Sequence, residues 1–254
     1  MIITPITKEY YENFDLTVLN EKLNFLVKKL SMLKSEKAKK INYTELYATY
    51  LQLVEIFCIN TFAVSDNDLL TNIFLSNGEI REKIQARFNE ESNDGKDFIT
   101  YLLTNFVFAN KDDKKDRTLQ KSAYKHMIKE SIDDYTKDKD FLNSYKHGFR
   151  VLSGEKNSLS IGMTGSSVMT KIQDYSASVL YYKKDRGSIW KCTVSFNWER
   201  VYVKALILIN MLENMKKVYL NTGKKINFQY ITFEDEEKIS SKYGCFRICS
   251  PVGQ

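Results

Sequence analysis

The stretch that decides the fold is Leu46–Val64, with the sequence LYATYLQLVEIFCINTFAV. Its apolar and aromatic side chains fall on nearly every face of a helix, and such a helix belongs at the centre of a bundle. Asn42 and Glu45 stand three residues apart just before it, and this spacing predicts a capping box at the helix start. Glu55 lies inside the apolar run, and a buried carboxylate needs a partner. The sequence does not identify that partner.

A second helix is predicted upstream, with Asp15 as its N-cap. Its leucines alternate three and four residues apart, which is the spacing of an a/d seam. The seam consists of Leu16, Leu19, Leu23, Leu26, Leu30 and Leu33. Two interpretations are open: the seam packs inside a bundle, or it is a dimerisation surface.

Shorter helical patterns continue as far as residue 148. Thr118 predicts the start of one helix, and Asp138–His147 predicts another short helix that Gly148 ends. Beyond Gly148 the apolar period changes from 3.6 to 2, which is typical of strands. The predicted strands are Phe149–Leu152, Leu159–Met163, Ser178–Tyr182, Trp190–Phe196, Ile226–Phe233 and Lys242–Cys249.

The connections within this region can also be predicted. Asp185–Ser188 contains Arg-Gly and predicts a hairpin turn between two strands. Asn197 predicts the N-cap of a long amphipathic helix that reaches Tyr219, and Gly223 follows as a stop signal. We expect this helix to return to the bundle.

The predicted fold class is therefore α+β, predominantly α. With only two prolines and ten glycines, the chain is poor in the turn residues that all-β proteins need. We expect one compact domain over residues 1–254. It would comprise a helical bundle (1–148), a β-hairpin segment (149–197), a long helix (198–222) and short strands (223–254).

Composition narrows the class of protein. The chain is 43% hydrophobic and 28% charged, which is typical of a globular protein. Charged residues interrupt every long apolar run, so we expect no membrane span. Met1–Tyr10 lacks the features of a secretory signal, and four cysteines in so long a chain make no disulfide framework. We therefore expect a reducing cytoplasm, with Cys245 and Cys249 as core thiols.

Few motifs for chemistry are present. The chain has two histidines, and it contains no HExxH, no CxxC pair and no run of carboxylates at metal spacing. The segment Gly162–Ser166 is glycine-rich, but it lacks the lysine that a phosphate loop places before its Ser or Thr. We expect no metal and no cofactor.

The net charge of +6 comes mainly from lysine, since only seven of the 38 basic residues are arginine. Lys121, Lys125 and Lys129 recur every four residues and form one stripe on a helix. Like charges at this spacing add no helix stability. The stripe is either a solvated face or a contact for an anionic partner.

The segment Leu142–Val151, LNSYKHGFRV, places three cationic groups around one helix end, at Lys146, His147 and Arg150. The helix dipole stabilises such groups, which is a sufficient structural reason for them. The functional alternative is that the charges of Lys146 and Arg150 hold a phosphate while His147 exchanges a proton.

Residues 43–150 resemble the HEPN-type helical proteins, many of which belong to prokaryotic immunity and toxin–antitoxin systems. The resemblance rests on Asn143, Lys146 and His147, and it implies RNA as a partner. Ribonucleases of that family carry an Arg-x(4–6)-His motif. This chain lacks the motif, because no arginine lies five to seven residues before either histidine. Arg117 precedes His126 by nine residues. The family's RNA-cutting activity therefore does not carry over by motif.

Three functional hypotheses follow. We favour an interaction module that binds a protein or an anionic partner, such as a nucleic acid, rather than an enzyme. The first alternative is a metal-independent ribonuclease that uses His147. The second is a structural protein that forms a homo-oligomer through the Leu16–Leu33 seam.

Overall fold

The computed structural model describes residues 5–66, 68–88, 98–103, 116–146, 151–153, 157–162, 169–220 and 245–252. For 5–6, 100–101, 116–123, 151–153, 157–162 and 169–174 it describes the backbone alone. The helices are α1 (Pro5–Asn13), α2 (Thr17–Met32), α3 (Glu36–Asp66), α4 (Leu69–Ile73), α5 (Asn77–Phe88), α6 (Phe98–Leu102), α7 (Asp116–Lys146) and α8 (Trp198–Leu220). The strands are β1 (Val151–Ser153), β2 (Asn157–Gly162), β3 (Met169–Tyr175), β4 (Ala177–Asp185), β5 (Ser188–Phe196) and β6 (Phe246–Pro251). The fold is α+β and predominantly α, as predicted.

Helix α3 is the centre of the fold, which confirms the prediction from Leu46–Val64. It packs against α2, α4, α5, α7 and α8 and against strands β1 and β4. The side chains of Leu46, Tyr50, Phe57 and Phe62 are fully buried. Among the described helices, α3 is the one that is long and apolar enough to cross a membrane. The rest of the chain buries 72% of its most apolar segment.

The predicted start of this helix is wrong. Helix α3 begins at Glu36, so Asn42 and Glu45 lie inside it and form no capping box. The buried amide of Asn42 instead donates to the carbonyl oxygen of Leu26 in α2, at 2.6 Å. This tertiary hydrogen bond satisfies the side chain, so Asn42 does not compete with the helix backbone.

Helix α7 also differs from the prediction, because Asp116–Lys146 is one helix of 31 residues. Thr118 lies within its first turn, and Asp138 lies in its interior. Asp138 caps nothing because its buried carboxylate accepts hydrogen bonds from Tyr47 and Arg247. Because Asp138 has hydrogen-bond partners distant in sequence, α7 continues through the break that was predicted there.

The leucine seam of α2 packs inside the bundle, against α3 and α8. Leu16, Leu23, Leu26 and Leu30 are buried. Helix α2 begins at Thr17 with Leu16 as its N-cap residue, so the predicted N-cap at Asp15 is one residue early, although the Asp15 carboxylate accepts from the backbone N–H of Thr17 at 2.8 Å. The seam is thus part of the core and is not available as a dimerisation surface.

The main sheet is antiparallel, with the strand order β1-β4-β5-β6, and β2 and β3 form a separate hairpin. The predicted turn between β4 and β5 is confirmed. Arg186 and Gly187 both have positive φ, 47° and 86°, as a two-residue type I′ turn requires. The predicted strand Lys242–Cys249 is shifted to Phe246–Pro251, and the predicted strand Ile226–Phe233 lies outside the described residues.

Helix α8 follows β5 directly and returns to α3, as expected. The Asn197 side chain does not cap it. Asn197 Oδ1 accepts from the backbone N–H of Ser176, and Ser176 Oγ accepts from the N–H of Trp198. Ser176, which lies between β3 and β4, is therefore the residue whose side chain caps α8.

Strands β5 and β6 are joined by a disulfide between Cys192 and Cys249, which lie opposite each other in register. The expectation that Cys249 is a core thiol is wrong. The two cysteines are 57 residues apart in sequence, and only strand pairing brings them together. Cys58 and Cys245 are free thiols.

Candidate functional site

The predicted anion site at the end of α7 is described only in part. Lys146 Nζ lies 3.3 Å from Glu55 Oε2, so Lys146 is the partner that the carboxylate of Glu55 needs. The two side chains are 43% and 17% exposed. His147 and Arg150 lie outside the described residues, and their predicted role stays a prediction.

The lysine stripe is separate from that helix end. Lys129 is exposed and Lys125 is half-buried, while the side chain of Lys121 lies outside the description. Lys129 and Lys146 are 17 residues apart on one helix. At 1.5 Å per residue, this separates their backbones by about 25 Å. The lysine stripe and Lys146 therefore do not form one compact anion site.

Asn143, which contributes to the HEPN resemblance, has an internal partner. Its Oδ1 accepts from Asn77 Nδ2 at 2.8 Å and connects α7 to α5. The other histidine, His126, is exposed, and its Nε2 lies 4.0 Å from Glu130 Oε2. Asn143 and Lys146 thus each make a contact that stabilises the bundle.

A cluster of buried charges that sequence reasoning missed lies deeper in the molecule. We call it the α7 ionic network; it consists of Glu130, Asp134 and Asp138 from α7, Arg200 and Lys204 from α8, and Arg247 from β6. The three acids are spaced four residues apart, and so are the two bases of α8. Each set therefore lies on one face of its helix.

Asp134 is at the centre of this network. Its Oδ2 lies 2.7 Å from Lys204 Nζ, and its Oδ1 lies 2.7 Å from a terminal nitrogen of Arg247. Burial raises the pKa of Asp134, but the charges of Lys204 and Arg247 outweigh burial and hold that pKa well below its usual range. Asp134 is therefore ionised at neutral pH although its side chain is only 2% exposed.

The remaining members complete the arrangement. Arg247 Nε lies 2.8 Å from both carboxylate oxygens of Asp138, and the Tyr47 hydroxyl donates to the same carboxylate at 2.5 Å. Arg200 pairs with Glu130, which also lies 3.2 Å from Lys204 Nζ. Burial lowers the pKa of Lys204, but Asp134 and Glu130 outweigh this effect and raise it.

Tyrosines of α3 extend the network into the core. The Tyr50 hydroxyl donates to Asp134 Oδ2 at 2.9 Å, and burial raises the pKa of both Tyr47 and Tyr50 well above the usual value. Burial also raises the pKa of the Cys245 thiol, which lies 3.9 Å from the Tyr47 hydroxyl. These groups keep their protons at neutral pH and provide neither a base nor a thiolate nucleophile.

The α7 ionic network brings together three acidic and three basic side chains. It connects α3, α7, α8 and β6, and its charged side chains are at most 18% exposed. Such a cluster is suited to fixing the relative positions of elements rather than to binding a substrate. The sequence signal was weak, because acids four residues apart usually mark a solvated helix face.

In the part of the chain that the structure describes, no three His, Cys, Asp or Glu side chains are arranged to hold a metal ion. Two apolar surfaces stand out by their exposure, one on the sheet and one on α2.

The first surface is the side of the main sheet that faces away from α3 and α7; we call it the outer sheet face. Near the β4–β5 turn its most exposed apolar residues are Ile189, Ile248 and Val252, which are 51–57% exposed. Ile189 and Val252 are neighbours, since the N–H of Val252 donates to the carbonyl of Ile189. Ile248 lies opposite Thr193 on the same side of the sheet, and Lys191 and Ser250 lie between it and that pair.

The outer sheet face is also basic and closed at one end. Lys184 and Lys191 lie on it, both exposed, beside the half-buried Tyr182. At the opposite end, Phe246 stacks on Tyr175 with 6.1 Å between ring centroids. The open part of the face is therefore an apolar strip with lysines along it.

The second surface is on α2, away from its leucine seam; we call it the α2 outer stripe. It consists of Val18, Phe25 and Met32, which are 69%, 62% and 71% exposed. They are seven residues apart, so two helical turns separate each from the next. Helix α2 is therefore apolar on two faces, and only one of them is buried.

Comparison of the chain with protein-family models, with curated proteins and with solved structures gives no match. The resemblance to HEPN-type proteins therefore stays a prediction from the residues alone. The function has to be argued from the surfaces of this chain.

Proposed function

We propose that this chain is a protein-interaction module whose outer sheet face docks an acidic segment of a partner protein. The observation that carries the proposal is the exposure of Ile189, Ile248 and Val252 on one sheet face, where Ile189 and Val252 are direct neighbours. An antiparallel sheet with one face in water normally alternates apolar residues inward and polar residues outward. Here three of the outward positions, Ile189, Ile248 and Val252, are apolar and more than half exposed.

Contiguous exposed apolar residues with a polar rim are typical of binding surfaces. Single exposed apolar side chains are common and need no explanation, but here three lie on one face of two paired strands, with Lys191 and Ser250 among them. The half-buried Tyr182 adds an aromatic side chain of the kind enriched at protein interfaces. Area and composition therefore favour a protein partner.

Charge selects the kind of partner. Lys184, Lys191 and Arg186 lie along and at the end of the strip, and all three are exposed. Complementary charge on a partner would speed association and suppress wrong partners. We therefore expect the docked segment to carry Asp or Glu between its apolar residues.

The strip is held rigidly from its inner side. The Cys192–Cys249 disulfide joins β6 to β5, and Arg247 connects β6 to Asp138 in the core. A contact surface fixed before binding loses less conformational entropy when the partner arrives. The α7 ionic network and the outer sheet face thus belong to one functional arrangement, with the network as support.

A displayed library of random peptides, selected on the whole chain, tests the proposal. We expect enriched peptides to combine acidic and apolar residues, and we expect Ile248→Glu to lose them. Ile41→Glu is the matched control, because Ile41 is 53% exposed on α3, close to the 57% of Ile248. Lys191→Glu should weaken the acidic peptides, and added salt should have the same effect because it screens exposed charges.

Two outcomes would overturn the proposal. One is that no selected peptide depends on Ile248. The other is that a single-stranded RNA oligonucleotide binds in fluorescence polarisation and that Lys191→Glu abolishes this binding, since the basic strip would then serve a nucleic acid. Thermal unfolding of each variant confirms that the comparison is made between folded proteins.

A further inference from the structure

We propose that two copies of this chain pair through the α2 outer stripe, with their α2 helices antiparallel. The inference concerns a different surface from the outer sheet face, and it does not depend on the proposed function. It rests on the symmetry of the exposed apolar residues and on the charges beside them.

The apolar positions are symmetric about Phe25. Val18 lies seven residues before it and Met32 lies seven residues after it. If two α2 helices run antiparallel with Phe25 against Phe25 of the second copy, Val18 of each copy lies level with Met32 of the other. The three side chains thus form a continuous apolar contact along the pair.

The charges are antisymmetric about the same residue. Asp15 and Glu21 lie on the N-terminal side of Phe25, while Lys28 and Lys29 lie on the C-terminal side, and all four are exposed. In the antiparallel pair, Glu21 lies level with Lys29 of the second copy and within one residue of Lys28. A parallel pair would instead place Glu21 near Glu21 and Lys28 near Lys28, so like charges would oppose each other.

The neighbouring side chains permit this approach. Lys22, which flanks the stripe on its other side, already pairs with Glu45 of α3 at 3.5 Å, so its charge is compensated within the chain. The ammonium of Lys29 lies 5.8 Å from the centre of the Phe25 ring, close enough for a cation–π contact. The stripe is therefore apolar, with acidic residues on the N-terminal side of Phe25 and basic residues on its C-terminal side.

The size of the contact sets its strength. Three apolar side chains from each copy place the interface at the low end of the usual size range, below about 1,200 Å² in total. The dimer should therefore be in equilibrium with the monomer and should depend on protein concentration.

Sedimentation velocity over a range of loading concentrations tests the pairing. Wild type should shift from monomer to dimer as its concentration rises, and Phe25→Glu should raise the dimer dissociation constant about tenfold or more, because an aromatic at the centre of a contact becomes a repelling charge. Phe74→Glu is the matched control: Phe74 is 80% exposed on another element, so dimerisation should be unchanged. A wild-type monomer at every concentration, or a Phe25→Glu variant that dimerises like wild type, would overturn the proposal.

A charge exchange tests the orientation. The triple variant Glu21→Lys with Lys28→Glu and Lys29→Glu should dimerise with itself, since residue 21 of each copy again lies level with residues of opposite charge at positions 28 and 29 of the other. It should not exchange subunits with wild type, because like charges would then meet. Energy transfer between labelled subunits measures the exchange, and free mixing of the two proteins would refute the antiparallel arrangement.

Discussion

Replacing Lys204 with methionine removes one charge from the α7 ionic network while nearly preserving side-chain length. Lys204 is fully buried, and its Nζ lies 2.7 Å from Asp134 Oδ2 and 3.2 Å from Glu130 Oε1. The substitution leaves three buried carboxylates with two guanidinium groups. Removing one partner of a buried ion pair costs about 3–5 kcal/mol, because the other charge stays buried without compensation.

The expected loss can be measured in two ways. Urea denaturation followed by circular dichroism gives the free energy of unfolding. For a domain of this size, each 1 kcal/mol shifts the thermal midpoint by about 2–4 °C, so Lys204→Met should lower it by roughly 6–20 °C. Adding Asp134→Asn to Lys204→Met restores the balance to two carboxylates and two guanidinium groups. The double variant should therefore lose less stability than the sum of the two single variants.

Lys137→Met is the matched control. Lys137 Nζ lies 2.6 Å from Asp133 Oδ2 on the same helix, but these side chains are 54% and 50% exposed. An exposed pair of this kind contributes about 0.5 kcal/mol or less. If Lys204→Met costs no more than Lys137→Met, the buried network does not hold the fold together, and our account of it is wrong.

Three further predictions concern the disulfide, pH and the hairpin turn. Cys192→Ser should lower the free energy of unfolding by up to about 4 kcal/mol, since the bond closes a 57-residue loop. Alkylation of the unfolded wild type should modify two more thiols after reduction than before, because reduction frees both cysteines of the bond. The pKa of Asp134 is lower in the folded protein than in the unfolded chain. Its contribution to the free energy of unfolding should therefore be present above about pH 4 and lost as pH falls further. Burial raises the pKa of Asp138, so its ionised form lowers the free energy of unfolding, and this effect is lost as pH falls. Urea titrations of wild type and Asp134→Asn at several pH values measure the difference. Gly187→Ala should cost about 1–2 kcal/mol in the same titration because its φ is 86°, whereas alanine at Ser188 should have little effect.

The disulfide also bears on the predicted compartment. The low cysteine count favours a reducing cytoplasm, and this localisation stays a prediction. Disulfides persist mainly in oxidising environments. The test is to alkylate the thiols rapidly in the native cells and then to count how many cysteines of this protein are modified. The count would test the localisation as well as the bond.

Much of the fold could be predicted because its signals are local. The all-round apolar character of Leu46–Val64, the leucine spacing in α2 and the alternation in Trp190–Phe196 each follow from the period of one element. The boundaries predicted from Asn42 and Asp138 failed for a common reason. Both residue types favour helix caps when their side chains have no distant partner, and here each has one.

The sequence by itself therefore determined the fold class and the apolar character of α2, α3 and β5, but it divided α7 into two helices and missed β3. Tertiary structure alone decided which residues meet. The α7 ionic network combines residues from 130 to 247, and the partner of Glu55 is Lys146, 91 residues away. It also decided which apolar residues remain exposed, since Val18 and Leu23 are equally apolar in the sequence but lie on opposite sides of a packed helix. The physical reason is that periodicity is a property of one segment, whereas ion pairing and burial depend on distances set by packing between segments.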